Sequence, residues 1–285
     1  MAPSADGDSW FFAQAGHVLL SPHWSHAFAN PAVQAGPLQL ALYGSLGPAL
    51  PYLVAGAIAL LVMGAARAAG VRDHQLLLIA GLVATPLGLT SSGVDSGHPA
   101  NAVLPLLWIV AAAQARRGRV AVAAAIVGFS AGLETWGILG VAVLALAPRL
   151  RSAALGVPVA ALTAGALFLP FVLSGDFAMG SYRWQVSEES LVSLFVAPGT
   201  PVGWPLRLAQ GALALAAGIA LSRRARLTSH SLWAVPAVIV LVRLLLDPLG
   251  SGYYYVGLEA PALVGLALVA TSGLRLPRLG RQTVA

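Results

Sequence analysis

The chain has 285 residues, 58% of them hydrophobic and 9% charged, with a mean hydropathy of +0.81. A soluble domain carries about a quarter charged residues and a spanning helix needs about 20 mostly apolar ones, so the composition predicts a polytopic α-helical membrane protein. The net charge of +6 invites a nucleic-acid partner, which the arginine positions below exclude, and the absence of cysteine excludes disulfides and thiolate metal sites.

The first 36 residues lack a basic stretch followed by an apolar core, so no cleavable signal peptide is expected. Within "SWFFAQAGHVLL" the apolar residues fall at 11, 12, 15, 18 and 19, with Gln14, His17 and Ser21 opposite. That pattern predicts a short amphipathic helix lying on the membrane surface. Asp8 or Ser9 stands at its N-cap position. Asp8 therefore reads either as a cap or as a carboxylate held at the membrane–water boundary. The loop "SPHWSHAFANPAVQAGPLQL" follows, and residues 1–37 form an external unit. His17, His23 and His26 share no helical face across Pro22 and read as loop residues rather than as a metal site.

Apolar runs then cover 38–66, 75–90, 99–115, 120–133, 137–147, 153–173, 206–221, 231–246 and 253–272. All sixteen basic residues are arginine, and thirteen of them fall in short connections or the tail, on one side of the membrane, if 120–147 is a hairpin. The positive-inside rule makes that side the cytoplasm. The expected fold is an all-α bundle of seven spanning segments plus a short helical hairpin, filling 38–285, with an outer loop at about 174–205. The N-terminus then lies outside and the C-terminus inside a plasma membrane. Nine of the ten acids fall at or near the outer face, which is where chemistry is expected. Gly128 and Gly132 form a small-xxx-small pair suited to close helix contact. Glu134, in the hairpin tip "LETW", needs a partner if buried.

An outer-face aspartate, a surface helix and "NPAVQAGPLQL" entering a helix resemble the first external loop of GT-C glycosyltransferases. The chain is similar in particular to polyprenyl-phosphate-mannose-dependent mannosyltransferases of actinobacteria. "SGHPANAVLPLLWIVAAAQARRGR", "GFSAGLETWGILGVAVLALAPRLR" and "RLLLDPLGSGYYY" carry the same resemblance, in the family's order. The family places a transmembrane helix before the first loop and often a basic residue before the tip tryptophan. Here no such helix precedes residue 8, and Glu134-Thr135 precede Trp136.

The resemblance implies transfer of a sugar, mannose by analogy, from a polyprenyl-phosphate donor to a hydroxyl of a glycan or glycolipid acceptor. It assigns Asp8 as the general base, with Asp6 as substitute, and places Asp95 and His98 near donor or acceptor. His98 reads alternatively as a cap for the helix starting at Pro99. Arg243 lies inside an apolar run and reads as a clamp on the lipid phosphate, or as an i,i+4 partner of Asp247. Arg183 is the outer-loop alternative, and Tyr253 a sugar-stacking candidate or an interfacial aromatic. A divalent metal across Asp8, Asp95 and His98 is compatible with the donor types, but no spacing demands it, and no cofactor is expected. Membrane lipids surround the bundle. The competing readings are a non-catalytic scaffold derived from such an enzyme, and a lipid or solute transporter.

Overall fold

The computed structural model describes residues 8–84, 97–174, 176–225, 232–250 and 252–273, and of Pro48, Pro51, Ala225, Tyr253, Ser272 and Gly273 only the backbone. Asp6 and Asp95 lie outside the described residues. Ten α-helices run through the described chain: α1 (Ser9–Leu19), α2 (Pro37–Leu46), α3 (Leu50–Ala69), α4 (His74–Ala84), α5 (Ala100–Arg116), α6 (Val120–Leu133), α7 (Leu150–Ser174), α8 (Trp204–Ala225), α9 (Ala234–Leu245) and α10 (Val256–Gly273). The all-α class holds. A small antiparallel ribbon interrupts it in the loop after α7, where β1 (Trp184–Gln185) pairs with β2 (Pro201–Val202). That loop runs from the end of α7 to the start of α8.

Among the described residues, three helices are long and apolar enough to cross a membrane: Tyr52–Ala69, Leu150–Ser174 and Trp204–Arg224. The other apolar helices among the described residues run 10–17 residues, so three of the seven spans expected are seen there at full length. The bundle is organised around α5, whose Trp108 is completely buried and which packs against α3, α6, α9 and α10. Its run of buried alanines, Ala111 to Ala113 and Ala115, lets those neighbours approach closely.

The run 38–66, expected as one helix, is broken into α2 and α3. Gly47 takes φ +48, a region that favours glycine, and Pro48 lacks the N–H that would continue the ladder, so a 3-10 turn (Gly47–Ala49) intervenes. α2 then belongs to a cap with α1, and the part of the run long and apolar enough to cross a membrane lies in α3. The cap has its own core of Phe12, Phe28, Leu40 and Tyr43, closed from below by Phe171 of α7.

The hairpin is present, but its second arm differs from the α-helix expected. Thr135–Leu146 is a 3-10 helix of 12 residues. Such runs rarely exceed 3–4 residues. Here the threefold period places Gly137, Gly140, Val143 and Leu146 on one buried face. A Cβ on Gly137 would sit 2.3 Å from the Ser130 carbonyl oxygen, and one on Gly140 2.3 Å from the Trp108 indole nitrogen. At about 2.0 Å per residue this arm extends about 24 Å, against about 18 Å for an α-helix of the same length. The extra reach brings the tip up to the cap. There the Gly36 N–H donates to the Leu133 carbonyl at 2.7 Å, and Ala35 pairs with Glu134 as an antiparallel bridge.

Candidate active site

Asp8, His98 and Glu134 come from three separate parts of the chain and meet where cap, α5 and hairpin tip converge. His98 Nε2 lies 2.9 Å from Asp8 Oδ2, and its Nδ1 lies 2.9 Å from Glu134 Oε1. Asp8 precedes α1 but makes no side-chain cap bond there, so the capping reading of Asp8 is set aside by the geometry. α5 starts after Pro99 without a side-chain cap bond, and both His98 ring nitrogens face carboxylates.

Local structure fixes each member. Gly97 adopts φ +86, and a Cβ there would sit 2.6 Å from the Ser9 nitrogen. Only glycine lets the α5 entry touch the start of α1 so closely. The Gln39 side-chain amide donates to the Gly97 carbonyl at 3.2 Å, and the Phe12 ring meets His98 edge-on at 5.3 Å. Glu134 sits in extended backbone between the hairpin arms, and its carbonyl accepts from the Gly137 N–H at 2.8 Å. The Trp136 indole N–H donates to Glu134 Oε2. Glu134 is buried, His98 is 14% exposed at its side chain, and Asp8 is 58% exposed.

Burial alone would lower the His98 pKa. The hydrogen bonds that its ring donates to both carboxylates outweigh it, together with their charges, and push it up to about 9. His98 is therefore an imidazolium at neutral pH, donating from both nitrogens, and cannot itself accept a proton. Asp8 is the member that solvent and a substrate can reach. Because the folded pKa exceeds the ordinary 6.5, the pairing stabilises fully below about pH 6.5 and is lost as pH rises through about 9. The melting temperature in detergent is thus expected to fall between pH 7 and 10, and His98→Gln is expected to flatten that fall. An unchanged slope in the variant would overturn the assignment.

A second cluster lies behind Trp136. Asp247, 1% exposed, accepts from Arg207 Nη1 at 2.8 Å and lies 3.5 Å from Arg243 Nη2. The Gln210 amide donates to the Arg243 carbonyl and to Asp247. The Arg243 guanidinium rests 4.3 Å from the Trp136 ring centre and 5.2 Å from that of Tyr254, and Arg207 lies 4.5 Å from Trp184. The i,i+4 reading of Arg243 is met, and its guanidinium is enclosed rather than presented to a ligand. Trp136 joins the clusters, its N–H on Glu134 and its ring under Arg243.

Arg183 is exposed on the outer loop, its Nη1 donating to the carbonyls of Ser181 and Tyr182 at 3.4 and 3.1 Å. The structure does not bring it to His98 among the described contacts. Tyr253 lies in the 3-10 turn Gly252–Tyr255. His26 pairs with Asp176 at 2.7 Å on the surface. Among the described residues no group of three His, Asp or Glu is placed to hold a metal ion. In the triad the two carboxylates sit on opposite nitrogens of one ring and do not converge on a point.

Sequence reasoning missed Glu134 and Trp136 as site members, and Arg207 and Gln210 as the partners of Asp247. The one signal for Glu134 was a carboxylate in the middle of an apolar hairpin, which must find a cation or donor. No family model, no curated protein and no solved structure matches this chain.

Proposed function

We propose that the protein is an inverting glycosyltransferase that moves a sugar, mannose by analogy, from a polyprenyl-phosphate donor to a hydroxyl of a glycan or glycolipid at the outer face of the plasma membrane. The observation that carries this reading is the half-exposed Asp8 carboxylate, held by an imidazolium that Glu134 fixes from behind. Asp8 takes the proton of the acceptor hydroxyl. The hydroxyl oxygen bonds to the anomeric carbon, the bond from that carbon to the phosphate oxygen breaks, and the electron pair leaves on the polyprenyl phosphate. His98, charged throughout, keeps Asp8 in place. Arg183 is the one basic residue of the outer loop 174–205, and it is the cation assigned to the departing phosphate because Arg207 and Arg243 are held by Asp247. The step as written uses no cofactor. A prenyl donor requires a membrane-embedded enzyme, which the apolar helices support. The arginines of the opposite loops give the orientation by the positive-inside rule.

The test is release of labelled sugar from polyprenyl-phosphate mannose in membranes carrying the protein, beside membranes without it. Donor consumption with label appearing in a glycan or glycolipid fraction supports the reading. A folded protein that consumes no hexosyl or pentosyl polyprenyl phosphate overturns it.

A further inference from the structure

At the other end of α5 from His98, about 25 Å along its 17 residues, the structure has a recess of about 420 Å³ that belongs to neither cluster described above. Its lining is Gly64, Arg67, Ala68, Gly70, Arg72 and Arg117. Arg67 stands in the last turn of α3, Arg72 in the connection to α4, and Arg117 just beyond α5. All three are exposed, and none enters the ion pairs found among the described residues. Asp73, the neighbouring acid, is committed elsewhere: its Oδ1 accepts from the Gln75 and Leu76 N–H groups at 2.8 and 3.3 Å and caps α4. Topology accounts for arginines on this side of the membrane. It does not account for three of them converging, with no ion-paired carboxylate among the described residues, on one concavity large enough for a ligand.

The recess also has a lipid-facing approach. Leu60, Gly64 and Ala68 follow one another at i,i+4 along the spanning helix α3, and Leu60 is 68% exposed. A Cβ on Gly64 would meet nothing within 4 Å, so this face of α3 is uncovered between the arginines and Leu60. We propose that the recess binds the phosphate group of an anionic phospholipid from the cytoplasmic leaflet, with the lipid chains lying along the Leu60–Ala68 face of α3. Guanidinium groups suit phosphate oxygens because they donate in parallel pairs, and basic recesses between membrane helices on this side take such headgroups. A free phosphate would satisfy the same arginines without using the apolar face of α3.

The probe is phosphatidylglycerol added to the detergent-purified protein, with phosphatidylcholine and inorganic phosphate as separate arms, read by native mass spectrometry and by thermal melting. Phosphatidylglycerol is expected to be retained and to raise the melting temperature. Each arginine removed is expected to weaken its binding about 5-fold, so Arg67→Gln/Arg72→Gln should weaken it about 30-fold. The control is Arg223→Gln/Arg224→Gln, the same charge change at exposed positions in the last turn of α8, and it should bind as the wild type does. Equal binding by the recess variant overturns the proposal, and so does an equal loss in the control, which would mean unlocalised charge attraction. Inorganic phosphate giving the same thermal shift and displacing the lipid would identify a free phosphate compound as the ligand and overturn the lipid assignment.

Discussion

Asp8→Asn is expected to lower sugar transfer about 100- to 10,000-fold, the range over which a positioned general base acts, while the protein still folds. Asparagine has the shape of aspartate and keeps a carbonyl oxygen that can accept from the His98 Nε2–H, so the 2.9 Å contact can persist. What it loses is the capacity to take a proton. The stability change is small because Asp8 is more than half exposed, and exposed pairs contribute at most about 1 kcal/mol. Two readouts separate the roles: transfer rate from labelled donor and melting temperature in detergent. Loss of rate with an intact melt supports Asp8 as the base. Loss of both would make it a structural anchor of the cap. Full activity in Asp8→Asn, and again in Asp6→Asn/Asp8→Asn, would remove both carboxylates from consideration and with them the proposed mechanism.

The sequence exposes periodicity and local charge pairs, and it hides contacts between distant elements. The amphipathic α1 is legible because Phe12 and Ala15 are buried while Gln14 and His17 are exposed, at the 3.6-residue spacing. The pair Arg243–Asp247 is legible because it lies within one turn of its helix. Arg207 is not, since 40 residues separate it from Asp247 and nothing local marks the contact. Asp8 and His98 can each be singled out alone, yet their meeting depends on how the cap folds over α5, 90 residues away. The break at Gly47-Pro48 carried a readable signal, but the continuous apolar run around it reads as one helix. The 3-10 arm is the least legible element, because Thr135–Leu146 is apolar on every face and gives no period to read. Its pitch is set by the close approach of Gly137 and Gly140 to Ser130 and Trp108, a tertiary fact. That pitch lifts Glu134 to His98, so the site depends on the very feature that the sequence conceals.

Asp247→Leu is expected to destabilise the protein by about 3–5 kcal/mol, the cost of removing one partner from a buried ion pair. Asp247 is 1% exposed and neutralises two guanidinium groups whose side chains are 12% and 9% exposed. Without it, Arg207 and Arg243 keep their charges against Trp184 and Trp136, and a ring face offsets only part of a buried charge. A loss of that size is a large share of the 5–15 kcal/mol that holds a typical domain together. It should appear as poor membrane yield and a much lower melting temperature. The triple variant Asp247→Leu/Arg207→Met/Arg243→Met should recover part of the loss, since apolar residues of similar volume can replace a buried ionic cluster. Because Arg243 lies against Trp136, whose N–H holds Glu134, the single variant should also loosen the His98 site and reduce the pH dependence of melting. A near-wild-type melt in Asp247→Leu would mean that the two arginines are well solvated. Arg243 would then be available to an incoming phosphate, and the departing group in the proposed transfer would have a second cation beside Arg183.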